Sequence, residues 1–192
     1  MHRHPFLFII ITMKLIEKKI KSKKIYAGKI LDFYLDEIKT PSGHKATREY
    51  SKHVFAVGAI VEVDGYYILE KQYRYPLQKI IIEIPAGKSD KGETPLAAVK
   101  REVKEETGYL AEKIIPLGTF HPAPAYSDEV LYLFYFKARH QSKRKLDEDE
   151  AINLLRLTKK EVLKLLDNYQ ITDSKTIIAF SRLFNLCSKP KR

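Results

Sequence analysis

A short helix crowded with glutamates is the feature of this sequence that most restricts its fold. In the stretch GKSDKGETPLAAVKREVKEETGY (87–109), Thr94 suits an N-cap, a proline takes the first helical position and Gly108 suits the residue just past the end. The pattern therefore predicts a helix over Pro95–Thr107, and its last two turns carry Glu102, Glu105 and Glu106. Like charges three or four residues apart in a helix repel by roughly 0.2–0.5 kcal/mol per pair, so something in the folded protein must offset the repulsion.

Two interpretations of these glutamates are open from the residues alone. Glu102 and Glu106 are one turn apart and project from one edge of the helix. Glu105 lies beside them, and Glu93 enters from the preceding loop. Hard divalent cations such as Mg²⁺ or Mn²⁺ prefer oxygen ligands and would bind such an edge. Alternatively, the edge is a solvated acidic surface with basic neighbours such as Arg101.

Strands are expected on both sides of the helix. Asp64 and Gly65 form a dipeptide suited to a tight hairpin turn between two apolar strands, and KIIIEIPAG (79–87) reads as a further strand. Three apolar residues of the helix, spaced at i, i+3 and i+7, are expected to face the core: Leu96, Val99 and Val103. The rest of the chain predicts strands at 114–121, 130–138 and 151–157, then helices at 159–166 and 174–186.

The first quarter of the chain predicts a separate small sheet. Residues 13–52 show short strand-like patterns with a turn at PSG (41–43), which indicates two or three antiparallel strands. Residues 53–192 are expected to form one larger domain. The apolar run within residues 1–12 is too short to span a bilayer and lacks a small-residue cleavage site, so we expect an extension with no role in the fold.

The composition of the chain indicates its cellular compartment and restricts its classes of binding partner. The single cysteine, Cys187, can form neither an intramolecular disulfide nor a thiolate metal cage, so a reducing cytoplasm is expected. The net charge of +11 suits nucleic acid, an anionic membrane or a polyanionic small substrate. The lysine-rich run at 18–24 contains no aromatic residue that could stack on bases, so we expect a solvated surface and no nucleic-acid or membrane partner.

The complete spacing of the glutamate stretch identifies a family resemblance. Gly87 is followed after five residues by Glu93, and after seven more by REVKEETG (101–108). This resembles the Nudix box, the strand-loop-helix-loop motif of hydrolases that cleave a nucleoside diphosphate linked to another moiety. Tyr109 departs from the pattern, which usually has an aliphatic residue there. The resemblance implies an α/β Nudix fold, with a mixed curved sheet between helices, and a Mg²⁺ cofactor that Mn²⁺ can replace.

The resemblance also implies roles for the residues of the box. The positions that hold the metal correspond to Ala86, through its carbonyl, and to Glu93, Glu102, Glu105 and Glu106. Glu102 and Glu106 would be the principal ligands, and Glu105 a further ligand or an outer group. Arg101 would orient the glutamates, while Glu93 would hold either Arg101 or a metal-bound water.

Stretches outside the box resemble bacterial ADP-ribose pyrophosphatases: KQYRYP, EIPAGK, LDEDE and a proline, Pro124, sixteen residues beyond Gly108. The resemblance implies hydrolysis of ADP-ribose to AMP and ribose 5-phosphate. Positions that match substrate contacts are Tyr26, Ile30, Arg48, Glu49, Arg74, Lys88, Pro124 and Glu129. Three alternatives stay open: hydrolysis of another nucleoside diphosphate sugar, a non-catalytic module that senses ADP-ribose, and an RNA-processing Nudix protein that would use the basic surface.

The general base and the assembly are further implications of the resemblance. In similar enzymes a glutamate in the loop after the main strands takes the proton of the attacking water, which matches Glu148, with Glu150 as the alternative. The N-terminal segment crosses to a partner subunit in such enzymes. A domain-swapped homodimer is therefore expected, with Tyr26 and Ile30 near the adenine bound by the other chain.

Overall fold

The structure is a computed structural model that describes residues 15–140, 142–146 and 150–187. The extension expected over residues 1–12 and the candidate base Glu148 lie outside these residues. The chain divides into two compact units, one ending at Lys52 and the other beginning at His53.

The first unit is a three-stranded antiparallel sheet. Its strands β1 (Lys18–Ala27), β2 (Asp32–Lys39) and β3 (Lys45–Lys52) lie in the order β1-β2-β3. The turn predicted at PSG joins β2 to β3, where the Gly43 N–H donates to the carbonyl of Thr40. All ten residues of β1 are exposed. The sequence pattern therefore correctly predicts a small antiparallel sheet, with three strands.

The second unit is a seven-stranded mixed sheet with three helices. The strands are β4 (Ala56–Val63), β5 (Tyr66–Arg74), β6 (Lys79–Glu83), β7 (Ala86–Lys88), β8 (Tyr109–Phe120), β9 (Leu131–His140) and β10 (Ile152–Thr158). The main order is β10-β5-β4-β9-β8, while β6 pairs with β5 and β7 with β4. Only β4 and β9 pair in parallel among the described strands. The helices are α1 (Pro95–Thr107), α2 (Lys159–Asp167) and α3 (Ser174–Cys187).

Helices cover both faces of this sheet. On one face, α1 contributes Ala98, Val99 and Val103 to a buried cluster with alternate residues of β4 and β9. On the other face, Val162 of α2 and Phe180 of α3 pack on the intervening residues of the same strands. Because β4 is covered on both sides, its sequence AVGAIVEV is almost continuously apolar. The expected mixed sheet between helices is confirmed.

The local predictions around α1 are confirmed, with one exception. The helix has the predicted bounds, with the Thr94 side chain accepting from the Ala97 N–H at 3.2 Å and Gly108 in the left-handed conformation at its end. Asp64 and Gly65 form the predicted hairpin turn, and both have positive φ. The prediction that Leu96 faces the core is wrong, because Leu96 is 45% exposed and Ala98 is buried in its place. No helix in the described ranges is long and apolar enough to cross a membrane.

Candidate active site

Arg101 of α1 links the loop before the helix to the glutamates of the helix. Its guanidinium donates to Glu93 at 3.0 Å, to Glu102 at 2.8 Å and to Glu105 at 3.1 Å. It also donates to the carbonyl of Lys88 at 2.9 Å. The hydrogen bonds that Arg101 and the Asp90 N–H donate to Glu93 lower the pKa of Glu93 to about 2. Part of the repulsion within the helix is therefore offset by an arginine.

Glu106 is the deepest of the box glutamates. Its side chain is buried, and Oε2 accepts the N–H of Ala86 at 2.9 Å. Arg144 donates to the backbone carbonyl of Glu106 and, at 3.0 Å, to that of Ile152. The segment that ends at residue 146, just before the candidate base, is thereby attached to the end of α1.

Gly87 allows Glu102 to approach the strand before the box. A Cβ built at this position would overlap the carboxylate of Glu102. With any other residue at this position, the Glu102 carboxylate would have to move away from the place where Arg101 binds it. This gives a physical reason for the first position of the box.

Excess negative charge surrounds Glu106. Burial raises the pKa of Glu106, and the carboxylates of Glu70, Glu102 and Glu150 raise it further. Burial likewise raises the pKa of Glu102 to about 7, against the opposing effect of Arg101. Glu150 also acts on Glu102, so this candidate base lies within electrostatic reach of the glutamates.

Glu70 of β5 belongs to this cluster and is not recognisable from the sequence. It is 1% exposed, and none of the residues that the structure describes forms a hydrogen bond with its Oε1. In the sequence YYILEKQYR it occupies the last of four consecutive buried positions of a strand. Such a glutamate could have been singled out only by knowing that the strand is buried on both faces at that point.

The combined negative charge of Glu70 and the box glutamates suits a divalent cation. Several carboxylates crowd one another, and one buried carboxylate oxygen has no partner among the described residues, so a cation would satisfy groups that those residues leave uncompensated. Within the described ranges, no three His, Cys, Asp or Glu side chains already form a metal cage. Arg101 binds three of the glutamates instead, and Mg²⁺ retains waters rather than requiring a complete protein cage.

We expect the metal-free protein to lose stability as the pH rises. The folded-state pKa of Glu102 is raised from 4.5 to about 7. The contribution of this shift to the free energy of unfolding is therefore fully present below about pH 4.5 and is lost as the pH rises through 7. In EDTA, the Tm of wild type should therefore fall between pH 5 and 8 by about 5 °C more than that of Glu102→Gln, which stays neutral. Parallel Tm profiles for the two proteins would contradict this prediction.

A cavity of about 310 Å³ is lined by the two residues that contact Glu106 and Glu102, namely Ala86 and Gly87. It is lined by Ala86, Gly87 and Lys88 of β7 and by cationic and acidic residues from other elements, namely Arg74, Glu129, Asp173 and Lys175. This volume is at the lower end of the range for small-molecule sites. The cavity therefore brings three expected substrate contacts, Arg74, Lys88 and Glu129, next to the expected metal residue Ala86.

Buried Glu83 holds the cations at this cavity. Arg74 donates to both of its carboxylate oxygens at 2.8 Å, and Lys175 forms an ion pair with it. Lys175 also pairs with Asp173 at 3.1 Å. Sequence reasoning missed Lys175, although a lysine in the first turn of a helix is electrostatically unfavourable and can therefore signal another role.

The remaining expected substrate contacts are not among the residues that line this cavity. Pro124 is exposed, and Pro122 of the same loop lines the cavity instead. Tyr26, Ile30, Arg48 and Glu49 belong to the first unit, in which Tyr26 and Ile30 are 60% and 64% exposed. Arg48 pairs with Glu17 in that unit, and Glu49 lies opposite Leu35 in the sheet.

A larger cavity of about 580 Å³ also borders α1. It touches Arg101 and Glu105 but is otherwise lined by lysines and apolar residues such as Lys104 and Phe136. The smaller cavity is the better candidate for the substrate, because it alone of the two includes both Arg74 and Ala86.

Comparisons with known proteins show which sequences and structures this chain resembles. A sequence model of the NUDIX domain matches residues 52–180. The chain is 38% identical over 170 residues to the ADP-ribose pyrophosphatase of Bacillus subtilis (strain 168), covering 87% of this chain and 92% of that protein. Identity and coverage are the same for the methanol dehydrogenase activator of Bacillus methanolicus. A crystal structure of an ADP compounds hydrolase has a TM-score of 0.81 at 19% identity, covering 91% of this chain and 96% of that chain, which is a likeness of fold.

Proposed function

The chain belongs to the Nudix family, and from this premise we propose that it hydrolyses the diphosphate of ADP-ribose to AMP and ribose 5-phosphate with the help of Mg²⁺. The observation that carries the proposal is a cavity whose lining joins Arg74 and Lys175 to Ala86 and Gly87, the residues that contact Glu106 and Glu102. A diphosphate in that cavity would meet cationic side chains and the strand that contacts the expected metal ligands.

Glu102 and Glu106 would hold the cation, with the carbonyl of Ala86 and with Glu105. When bound, Mg²⁺ neutralises the diphosphate and polarises its phosphorus towards attack by water. Arg101 keeps Glu102 and Glu105 oriented through its hydrogen bonds, and Glu93 supports Arg101 rather than the metal in the geometry observed.

The substrate would be oriented by groups that line the cavity. Arg74, fixed by its two bonds to Glu83, presents a preorganised guanidinium to phosphate oxygens. Glu129 would accept hydrogen bonds from the terminal ribose. Glu129 acts electrostatically on Lys88, whose pKa is lowered by burial, so these two groups border one subsite. Glu148, or Glu150 in its place, would take the proton from the attacking water.

A panel of nucleoside diphosphate derivatives, incubated with Mg²⁺ and analysed by chromatography, tests the reaction. We expect ADP-ribose to be cleaved with the highest kcat/KM and to yield AMP and ribose 5-phosphate. Preference for GDP-mannose or another sugar nucleotide would instead favour a hydrolase of another nucleoside diphosphate sugar. Binding of ADP-ribose without turnover would favour the sensing module.

A second candidate follows from the equal identity to a methanol dehydrogenase activator. This candidate predicts that the chain raises the rate of a methanol dehydrogenase. Adding the protein to that dehydrogenase, with Glu106→Gln as a matched control, separates the two functions. Activation by the variant as strong as by wild type would show an effect independent of hydrolysis.

We also propose that the enzyme is a cytoplasmic homodimer in which the first unit completes the site of the partner. Several apolar side chains of that unit are at least half exposed: Ile20, Ile25, Tyr26 and Ile30. A sheet of three strands needs a packing surface for such residues to be stabilised. A second copy of the chain would provide that surface.

Subunit mixing tests the exchange. Glu106→Gln and Ile30→Arg should each be inactive alone, the first through the metal and the second through the adenine subsite. After subunits exchange, about a quarter of the sites should be intact by statistical pairing in a two-fold dimer. No recovery with proven heterodimers, or a fully active monomer, would rule the exchange out.

A further inference from the structure

Glu70 is a buried carboxylate with one oxygen to which no described residue donates a hydrogen bond. Its side chain is 1% exposed, and Oε1 lacks a partner among the described residues. Leaving a buried acceptor unsatisfied is destabilising, and more so when the group is charged. A residue that is retained at such a cost requires a compensating role.

The nearby cations are already engaged elsewhere. Lys175 is paired with Glu83 and Asp173. Arg144 donates to the backbone carbonyls of Glu106 and Ile152. Both act on Glu70 through space, but neither forms a hydrogen bond with Oε1. Within the part of the chain that the structure describes, Glu70 Oε1 is therefore left without a cationic hydrogen-bond partner.

The other groups that act on Glu70 are carboxylates. Glu83 and Glu150 both repel its negative charge, and Glu70 in turn repels that of Glu106. Glu70 comes from β5, whereas Glu106 comes from α1, so the fold brings two carboxylates together from elements far apart in sequence. A buried carboxylate that has an unpartnered oxygen among the described residues, and that lies close enough to the expected metal ligand Glu106 to repel its charge, is an arrangement that a bound cation would satisfy.

We propose that Glu70 is an additional carboxylate of the divalent-cation site, holding the cation at Glu106 either directly or through one of its waters. The proposal rests on the proposed function, because it concerns the same metal. It adds a ligand from β5 that lies outside the Nudix box, seventeen residues before Gly87 in the chain.

Direct Mn²⁺ binding is the primary test. Titration of the full-length protein with Mn²⁺ alone, followed by electron paramagnetic resonance of the free ion, gives the Kd without substrate or turnover. Glu70→Gln should raise this Kd about 10–100-fold, the cost typical of losing a group that supports a metal site. Glu112→Gln is the matched control, because Glu112 is a half-exposed carboxylate of β8, and its Kd should equal that of wild type.

Thermal unfolding separates metal binding from a structural role. In EDTA, Glu70→Gln and Glu70→Leu should have a Tm equal to or above that of wild type, since both remove a crowded buried charge. Addition of Mn²⁺ should then raise the Tm of wild type and of Glu112→Gln. The increase in Tm should be much smaller for the Glu70 variants. A lower Tm in EDTA with an undiminished rise on adding Mn²⁺ would assign Glu70 to the fold and overturn the proposal.

The outcomes also separate this inference from the proposed function. If wild type binds Mn²⁺ and Glu70→Gln binds it equally well, only the role of Glu70 is wrong. If wild type binds no divalent cation, the metal-dependent function and the role of Glu70 are both wrong. Circular dichroism of each variant establishes that it is folded, and the leucine variant provides the measurement if the glutamine variant does not fold.

Discussion

Glu106→Gln is expected to lower kcat for ADP-ribose by about 10³-fold or more. Loss of a group that only supports a metal ligand already lowers metal affinity or activity by about 10–100-fold. Glu106 is expected to bind the metal itself, so its loss should have a larger effect. Its carboxylate is buried against β7, so no solvent-exposed group can take its place. Steady-state assays at saturating Mg²⁺ and Mn²⁺ measure the effect.

The fold should survive this substitution. In the metal-free protein, burial and three neighbouring carboxylates raise the pKa of Glu106, so its neutral form is favoured and glutamine resembles that form. The amide oxygen can still accept the Ala86 N–H that Oε2 accepts at 2.9 Å. We expect an unchanged or higher Tm in EDTA, and normal activity in the control Glu112→Gln. Unimpaired hydrolysis by folded Glu106→Gln would refute the assignment of the metal site.

Glu148→Gln is expected to lower kcat by roughly 10²–10⁴-fold with little change in KM. A general base contributes mainly in the transition state, so its loss leaves the binding of the ground state nearly intact. Glu148 lies outside the described residues, but the segment just before it is attached to α1 by Arg144. Rates measured between pH 6 and 9 should show the loss of an essential basic group.

Glu150→Gln is the matched control for this prediction. Glu150 acts electrostatically on Glu102 and Glu106, so its loss should alter metal affinity more than the chemical step. A loss of kcat in Glu150→Gln with normal rates in Glu148→Gln would transfer the role of base to Glu150. A change confined to KM would place Glu148 among the substrate contacts.

The local features of the fold were predictable because their causes lie within a few residues. Thr94, Pro95 and Gly108 satisfy or terminate backbone hydrogen bonds of α1, so its bounds follow from the sequence. The hairpin at Asp64 and Gly65 likewise depends on a local backbone conformation. Leu96 was misassigned because the spacing of apolar residues does not reveal which part of a helix the sheet covers.

By itself, the sequence determined the Nudix box, its helix and the family to which the chain belongs, since these depend on residue types at fixed spacing. Only the tertiary structure decided which distant groups join the box. Strand pairing between β5 and β6 aligns Glu70 with Glu83, and α3 brings Lys175 to the same place. A carboxylate on a strand has no sequence signal for a site, because its neighbours are set by pairing and packing between segments far apart in the chain. The surroundings of Glu106 are therefore a property of the fold, whereas its presence in the box is a property of the sequence.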